Sequence, residues 1–221
     1  LQGQLSSEPQ VGFVIGVGAS ETSGTLVPIA SSLRYSEDHQ REKVIVTGAV
    51  KVEAQAAANL NAAIEMMKQS SDEARTLVLN YLDSLSPGKN VNRIVGRYLK
   101  DSHFHHQFLT ATYNSGGPSA GMALAINTLS VILGLKVRND FGITGATWSR
   151  GKTAEDVGSV VIVGGVHNKA QVVLNYLNRV YVPTQNVKDV DLLTLESYWN
   201  SGKDVVGYNS FPEIVGEVYL L

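Results

Sequence analysis

NSGGPSAGMALAINTLSVILG, residues 114–134, reads as a glycine-rich break that runs directly into an apolar helix. Met122, Ile126, Leu129 and Leu133 fall at helical spacing and form one stripe, and Gly134 is a fitting C-terminal stop. Ser119 stands at or near the start of this helix. Orphan backbone N–H groups of a first turn, together with the positive end of the helix dipole, stabilise negative charge. A turn that presents a hydroxyl there also supplies donors to the oxyanion that forms when the hydroxyl attacks a carbonyl. Gly117, Pro118 and Ser119 are the candidates for that backbone, and the flanking glycines let a substrate chain approach closely. An ordinary N-cap uses the same residue type at the same place, so Ser119 gains chemical meaning only with a base.

Outward from this segment, residues 11–29 alternate small and β-branched types around Gly12, Gly16, Gly18 and Gly24 and predict a β-hairpin, with a short strand at 44–47. The Ala-rich run 50–69 places Ala57, Leu60, Ile64 and Met67 on one helical face, and a second helix is expected over 72–85, stopped by Pro87-Gly88. Residues 90–100 read ambiguously and look like an insertion, and 104–112 have strand character. Residues 140–147 and 157–163 predict a hairpin with its polar turn around Lys152. A helix over 166–177, a strand over 180–182 ended by Pro183, and one helical and one strand-like segment in the tail complete the pattern. Helices mix with hairpins instead of alternating regularly with strands, which predicts an α+β fold.

The 221 residues suit one domain, 1–221, large enough to bury a core. With 18 Lys plus Arg against 20 Asp plus Glu and no dense basic run, nucleic acid is not an implied partner. Absence of cysteine removes thiol nucleophiles, disulfides and Cys-based zinc sites, and leans toward an intracellular setting. No apolar run approaches the roughly 18 to 20 residues that span a bilayer. The chain opens on Leu1, not Met, and is expected to be the C-terminal part of a longer protein.

The base candidate lies on the helix after Gly164-Gly165. There Lys169, Val172, Val173, Tyr176 and Leu177 share one face, while Asn168, Gln171, Asn175 and Asn178 share the other. Lys169 is the one charged residue on the apolar face. Dehydration favours its neutral amine, and a fall of roughly 3 units from ~10.4 is what base duty near pH 7 demands. A snorkelling lysine, with its stem on the apolar face and its ammonium in water, is the ordinary alternative. The paired glycines weaken it by permitting close packing of the helix start, for instance against the Ser119 turn.

Together these residues resemble the proteolytic domain of Lon, the ATP-dependent protease with a Ser-Lys dyad. GGPSAG at 116–121 is similar to the nucleophile motif, and GGVHNK at 164–169 to the lysine motif. Ile143-Thr144-Gly145 and Arg150-Gly151 are similar to the Thr-Gly and Arg-Gly elements between them, and the resemblance implies that Thr144 supports the lysine. The opening VGFVIGVGASETSGTLVPIAS, Thr47-Gly48 and Val182-Pro183 with Asn186 extend the match over most of the chain. It implies a Lon-like α+β domain, with short hairpins and sheets packed against three to five helices. It further implies a serine endopeptidase acting on unfolded or damaged proteins, in the cytoplasm or mitochondrial matrix. No cofactor is expected in this chain: ATP and magnesium belong to an ATPase segment outside it, and six copies are expected to form a ring. Three features depart from the family's usual pattern. Gly116 replaces an Asp, Ala146 replaces a Glu, and the stretches 72–100 and 152–163 are longer.

Rival readings follow from the same residues. Gly117-Pro118-Ser119-Ala120-Gly121 also fits the G-x-S-x-G of α/β-hydrolases, with Asp140 or Asp156 and then His167 in chain order, but Pro118 restricts the strained elbow that motif needs. A phosphate-binding loop at 145–153 fails on glycine spacing. His103, His105 and His106 alternate across a strand, so no metal site is expected from them. The last rival is a Lon-like assembly module without activity.

Overall fold

The computed structural model describes residues 7–35, 44–48, 57–86, 88–109, 118–148 and 157–220. Its strands are β1 (Gln10–Val11), β2 (Phe13–Ala19), β3 (Gly24–Tyr35), β4 (Val44–Gly48), β5 (Ser102–Phe108), β6 (Lys136–Val137), β7 (Phe141–Ile143), β8 (Ala146–Trp148), β9 (Ser159–Val161), β10 (Arg179–Pro183), β11 (Asp204–Tyr208) and β12 (Tyr219–Leu220). The α-helices are α1 (Ala57–Ser84), α2 (Val91–Tyr98), α3 (Gly121–Leu133), α4 (Val166–Tyr176), α5 (Leu192–Asn200) and α6 (Phe211–Val218). Short 3-10 turns span Pro118–Ala120 and Thr184–Asp189.

The hairpin expected at 11–29 is β2 and β3, antiparallel from Phe13↔Ala30 to Ala19↔Gly24. Its turn is closed by hydroxyls: Ser20 and Ser23 bond each other's side chains at 2.9 Å, and Ser23 N–H donates to Ser20 Oγ. This hairpin sits inside a seven-stranded sheet ordered β11-β10-β7-β2-β3-β5-β4. The half β11-β10-β7-β2 is parallel, β2-β3-β5 is antiparallel, and β4 returns parallel to β5.

Two faces of the sheet carry two apolar clusters. Val14, Val27 and Ile29 pack with Met122, Ile126 and Leu129 of α3 and with Leu77 and Val78 of α1. Ile15, Val17 and Leu26 alternate to the opposite face and pack with Val166, Ala170 and Val173 of α4. Buried on both faces, β2 reads as a nearly continuous apolar run. The helix α3 is buried throughout Gly121–Ser130, while the last member of its expected stripe, Leu133, is 50% exposed.

The two helices expected at 50–69 and 72–85 are one helix, α1, within the described residues; 50–56 lie outside them. Ser70, Ser71 and Asp72 lie where the two expected helices would part. Instead, Ser71 Oγ donates to Met67 O at 2.8 Å and Thr76 Oγ1 to Asp72 O at 2.9 Å, so the hydroxyls bond the helix's own carbonyls and the turn continues. The longer stretch 72–100 packs on the body of the domain, with Ala74, Leu77, Val78 and Leu82 in the main core. Within it, α2 is capped by Asn90, whose side chain accepts from Arg93 N. The stretch 140–147 divides: β7 joins the large sheet, and β8 turns away to pair with β9 as the second strand of the expected hairpin. Lys152 lies outside the described residues, as do 110–112 of the expected 104–112 strand. The tail is richer than expected, with α5, β11, α6 and β12.

Two glycines show how tightly α4 seats. A Cβ on Gly24 would overlap Asn168 O and stand 2.6 Å from Val172 Cγ1, and one on Gly142 would stand 2.7 Å from Val173 Cγ2. Gly24→Ala is therefore expected to lower stability by about 1–3 kcal/mol. Gly96, in α2 with nothing near its Cβ position, supplies the opposite case. Gly96→Ala should raise stability by about 0.5–1 kcal/mol. Thermal unfolding of both variants checks the sign of each change.

Candidate active site

Ser119 sits in the 3-10 turn that precedes α3, partly buried, with Pro118 exposed beside it. The N-cap position falls on Ala120, whose backbone is helical, and no side chain caps the helix. Ser119 is thus not spent as a cap. A small pocket of about 10 Å³ is bounded here by Gly16, Val17, Gly18, Val27, Ile29, Ser119 and Ala120. Gly116 and Gly117 lie outside the described residues. Gly121 does not leave room for a substrate chain: its Cβ position is 2.8 Å from Thr147 Oγ1 and 3.0 Å from Thr147 N, so this chain's own β8 occupies the space.

The turn is fastened to the segment that leaves β7. Gly145 N–H donates to Ser119 O at 2.9 Å, and Met122 N–H donates to Gly145 O at 3.0 Å. Thr144 is fully buried. Its N–H donates to Tyr181 O at 3.1 Å, and its carbonyl accepts from Tyr208 Oη at 2.9 Å.

Lys169 comes to the same place from α4. It is only 4% exposed, and its Nζ donates to Thr144 Oγ1 at 3.1 Å. The Thr144 hydroxyl in turn reaches Ser119 O at a long 3.5 Å. One threonine therefore touches both the lysine amine and the serine main chain. No hydrogen bond joins the Ser119 hydroxyl to the Lys169 amine among the described residues. Burial pushes the Lys169 amine down from 10.5 to about 8, with no charged neighbour among the described residues contributing. The snorkelling alternative is excluded by this placement.

The start of α4 is built by two devices. Gly165 adopts φ 67°, and its Cβ position would stand 2.7 Å from Ala19 Cβ at the end of β2. The close packing that the paired glycines predict is thus against the β2–β3 hairpin, not the Ser119 turn. Asn186 is buried and grips Val163 on both sides, accepting from its N–H at 2.9 Å and donating to its carbonyl at 3.0 Å. At the other end of α4, Lys203 Nζ bonds Leu174 O.

The hydrolase-type alternative is not assembled. His167 pairs with Asp191 at 3.4 Å on the surface, and Asp140 is engaged by Arg138 at 2.5 Å. Asp156 lies outside the described residues, as do Arg150, Gly151 and 149–153 of the glycine-spaced loop. His106 is buried, bonded to Ser31 Oγ at 2.7 Å, while His105 bonds Thr47 Oγ1 at 2.8 Å. Among the described residues no group of three or more acidic or histidine side chains is arranged to hold a metal ion. Ala146, where a carboxylate was expected from the resemblance, is buried opposite Val161. A charged side chain there would lose its hydration.

Tyr208 and Tyr181 were not anticipated from the sequence. Their contribution runs through the Thr144 peptide, 64 and 37 residues away in the chain respectively, and leaves no local motif.

Comparison with known proteins adds an independent line. The sequence model of one family, described as Lon protease (S16) C-terminal proteolytic domain, matches residues 1–200. The Lon protease of Azorhizobium caulinodans is 28% identical over 189 residues, covering 85% of this chain and 18% of that protein. The mitochondrial Lon protease homolog of Drosophila melanogaster is 27% identical over 206 residues, covering 92% and 18%. The Lon protease of Finegoldia magna is 24% identical over 191 residues, covering 86% and 21%. The chain thus spans about a fifth of the length of these relatives.

The buried amine carries a stability signature. Because its native value, about 8, lies below 10.5, the unfolded chain binds the extra proton between those values, and stability rises with pH across that window. Lys169→Met, which keeps the stem, is expected to be more stable than the parent by about 3 kcal/mol at pH 7, with the gap closing toward pH ~10.5. Denaturant unfolding of both proteins across this range checks it; a gap independent of pH would contradict the placement.

Proposed function

The chain belongs to the family of the Lon protease C-terminal proteolytic domain, and from that premise we propose that it is a serine endopeptidase with Ser119 as nucleophile and Lys169 as general base. The observation that carries this reading is the dehydrated Lys169 amine held on Thr144, whose hydroxyl also reaches the Ser119 carbonyl. An amine near 8 is neutral in a useful fraction at neutral pH, roughly a tenth at pH 7, where an ordinary lysine is almost wholly charged.

In the proposed reaction the Ser119 hydroxyl rotates from its free position toward Nζ as substrate binds beside the Ser119 turn. Such contacts commonly tighten only in the loaded enzyme. Lys169 takes the hydroxyl proton, Ser119 Oγ bonds the peptide carbonyl carbon, and the oxyanion is held by backbone N–H groups of Gly117 and Ser119. Pro118, which has no N–H, contributes shape at the rim. The lysine returns its proton to the leaving amine, and water then hydrolyses the acyl-enzyme with Lys169 again as base. Thr144 orients the amine by accepting one of its hydrogens.

We place this domain in a longer protein whose ATPase segment, with ATP and magnesium, unfolds protein substrates and feeds them to the site, in a ring of six copies. A setting inside the cell, in cytoplasm or mitochondrial matrix, accords with bacterial and mitochondrial relatives. No helix among the described residues is long and apolar enough to cross a membrane.

A phosphonylating serine probe tests the dyad. Labelling is expected at Ser119, to vanish in Ser119→Ala, and to slow by about 10²–10⁴-fold in Lys169→Arg, since arginine does not release its proton. Label retained at the parent rate in Lys169→Arg would contradict the base assignment. Dependence on His167 would favour the hydrolase alternative, and no labelling of the parent the inactive assembly module.

A further inference from the structure

Thr144 is held on three sides, and only one of its holders is a side chain free to be changed without touching the Ser-Lys pair. Its N–H is bonded to Tyr181 O, the next N–H, of Gly145, to Ser119 O, and its own carbonyl accepts from Tyr208 Oη at 2.9 Å. Tyr208 is the last residue of β11, an edge strand of the large sheet, and its side chain is 1% exposed. Its ring meets Tyr181 edge-on, with centroids 6.5 Å apart and planes at 78°. A Cβ on Gly145 would overlap the Tyr208 hydroxyl, so the glycine is what lets the phenol reach the Thr144 carbonyl. Burial pushes the phenol well above its ordinary range, and it remains a donor throughout the working range of a lysine base.

We propose that Tyr208 is a positioning residue for the Ser-Lys site, acting through the Thr144 peptide to keep the Thr144 hydroxyl on the Lys169 amine and solvent away from it. The inference rests on the dyad reading for its catalytic meaning, though not for its structural content. A carbonyl buried beside a fully buried threonine must find a donor. If the phenol is removed, the carbonyl either draws in water or swings toward it, and both bring water beside Lys169. The amine then regains hydration, and its charged form with it. Groups facing the amine from the packed elements are neutral: Thr144 accepts from it, and no charged side chain among the described residues contributes to its titration.

Tyr208→Phe removes only the hydroxyl and keeps the ring in its cavity. Carbon-13 labelling of the lysine Cε positions, with Lys169 assigned by its loss in Lys169→Arg, reads the titration midpoint directly and needs no activity. The midpoint is expected to rise by about one unit in Tyr208→Phe, toward the ordinary lysine range. Thr144→Ala removes the acceptor itself and is expected to shift the same midpoint. Tyr181→Phe, which deletes a phenol donating to Glu217 Oε2 at 2.7 Å, is the matched loss of a tyrosine hydroxyl bond and should leave the midpoint unmoved. An unchanged or lower midpoint in Tyr208→Phe, or an equal shift in Tyr181→Phe, overturns the proposal. Phosphonylation kinetics in the same variants separate the two claims. A midpoint shifted in Tyr208→Phe, with a parent that never labels, would sink the dyad reading and leave the positioning role standing. A midpoint unshifted in Tyr208→Phe, with a parent that labels through Lys169, would do the reverse.

Discussion

A lysine amine with almost no access to water, bonded to one threonine hydroxyl, is the constraint on which the rest of this structure turns. Dehydrating an ammonium is costly, and the molecule accepts that cost at Lys169 while keeping its other described lysines at partly or fully exposed positions. The neutral form becomes accessible near physiological pH because burial penalises the charged one and no carboxylate among the described residues offsets it. Thr144 supplies the minimum polar partner that a buried amine needs, and its oxygen is short-reached enough to fix where the amine points.

Much of the architecture can be understood as seating that threonine and that lysine against each other. Thr144 leaves the end of β7, a central strand between β10 and β2, where the backbone is bonded from both sides. Lys169 is one turn into α4, whose register is set by glycines on the strands beneath it: Gly24 and Gly142 leave no room for a side chain, and Gly165 turns the chain into the helix. Asn186 anchors the approach to that turn. Ser119 is then tied to the same place by its carbonyl, through Gly145 and more loosely through Thr144, while its hydroxyl is left without a bond among the described residues. A serine recruited to cap α3 would not have that freedom.

The parts of this arrangement that were legible in the sequence are those with a local signature. Helical spacing with a single charged residue on an apolar face pointed to Lys169, which is buried, and a glycine-rich break entering an apolar run pointed to Ser119, which lies in the turn before α3. The β2–β3 hairpin showed its alternation and its turn. What escaped is what depends on contacts distant in the chain. The two helices expected at 50–69 and 72–85 are a single α1 in the described residues, where Ser71 and Thr76 bond the helix's own carbonyls and Ala74, Leu77 and Val78 pack on the core. The departure of β8 from β7 after Gly145 follows from the Ser119 and Tyr208 contacts at that glycine, which no window of sequence contains. Tyr208 lies 64 residues beyond the threonine it bonds, in a tail whose short elements carry weak periodicity. The partner of the Gly164-Gly165 turn was misjudged for the same reason: a glycine pair announces close packing without saying against what.

A crystal structure of the chain carrying a covalent phosphonyl adduct on Ser119 tests the central claim most directly. The account predicts Lys169 Nζ enclosed away from bulk solvent, still bonded to Thr144 Oγ1 and about 3 Å from Ser119 Oγ. An amine turned out into water, with Thr144 bonded elsewhere and the adduct formed without it, would contradict the account.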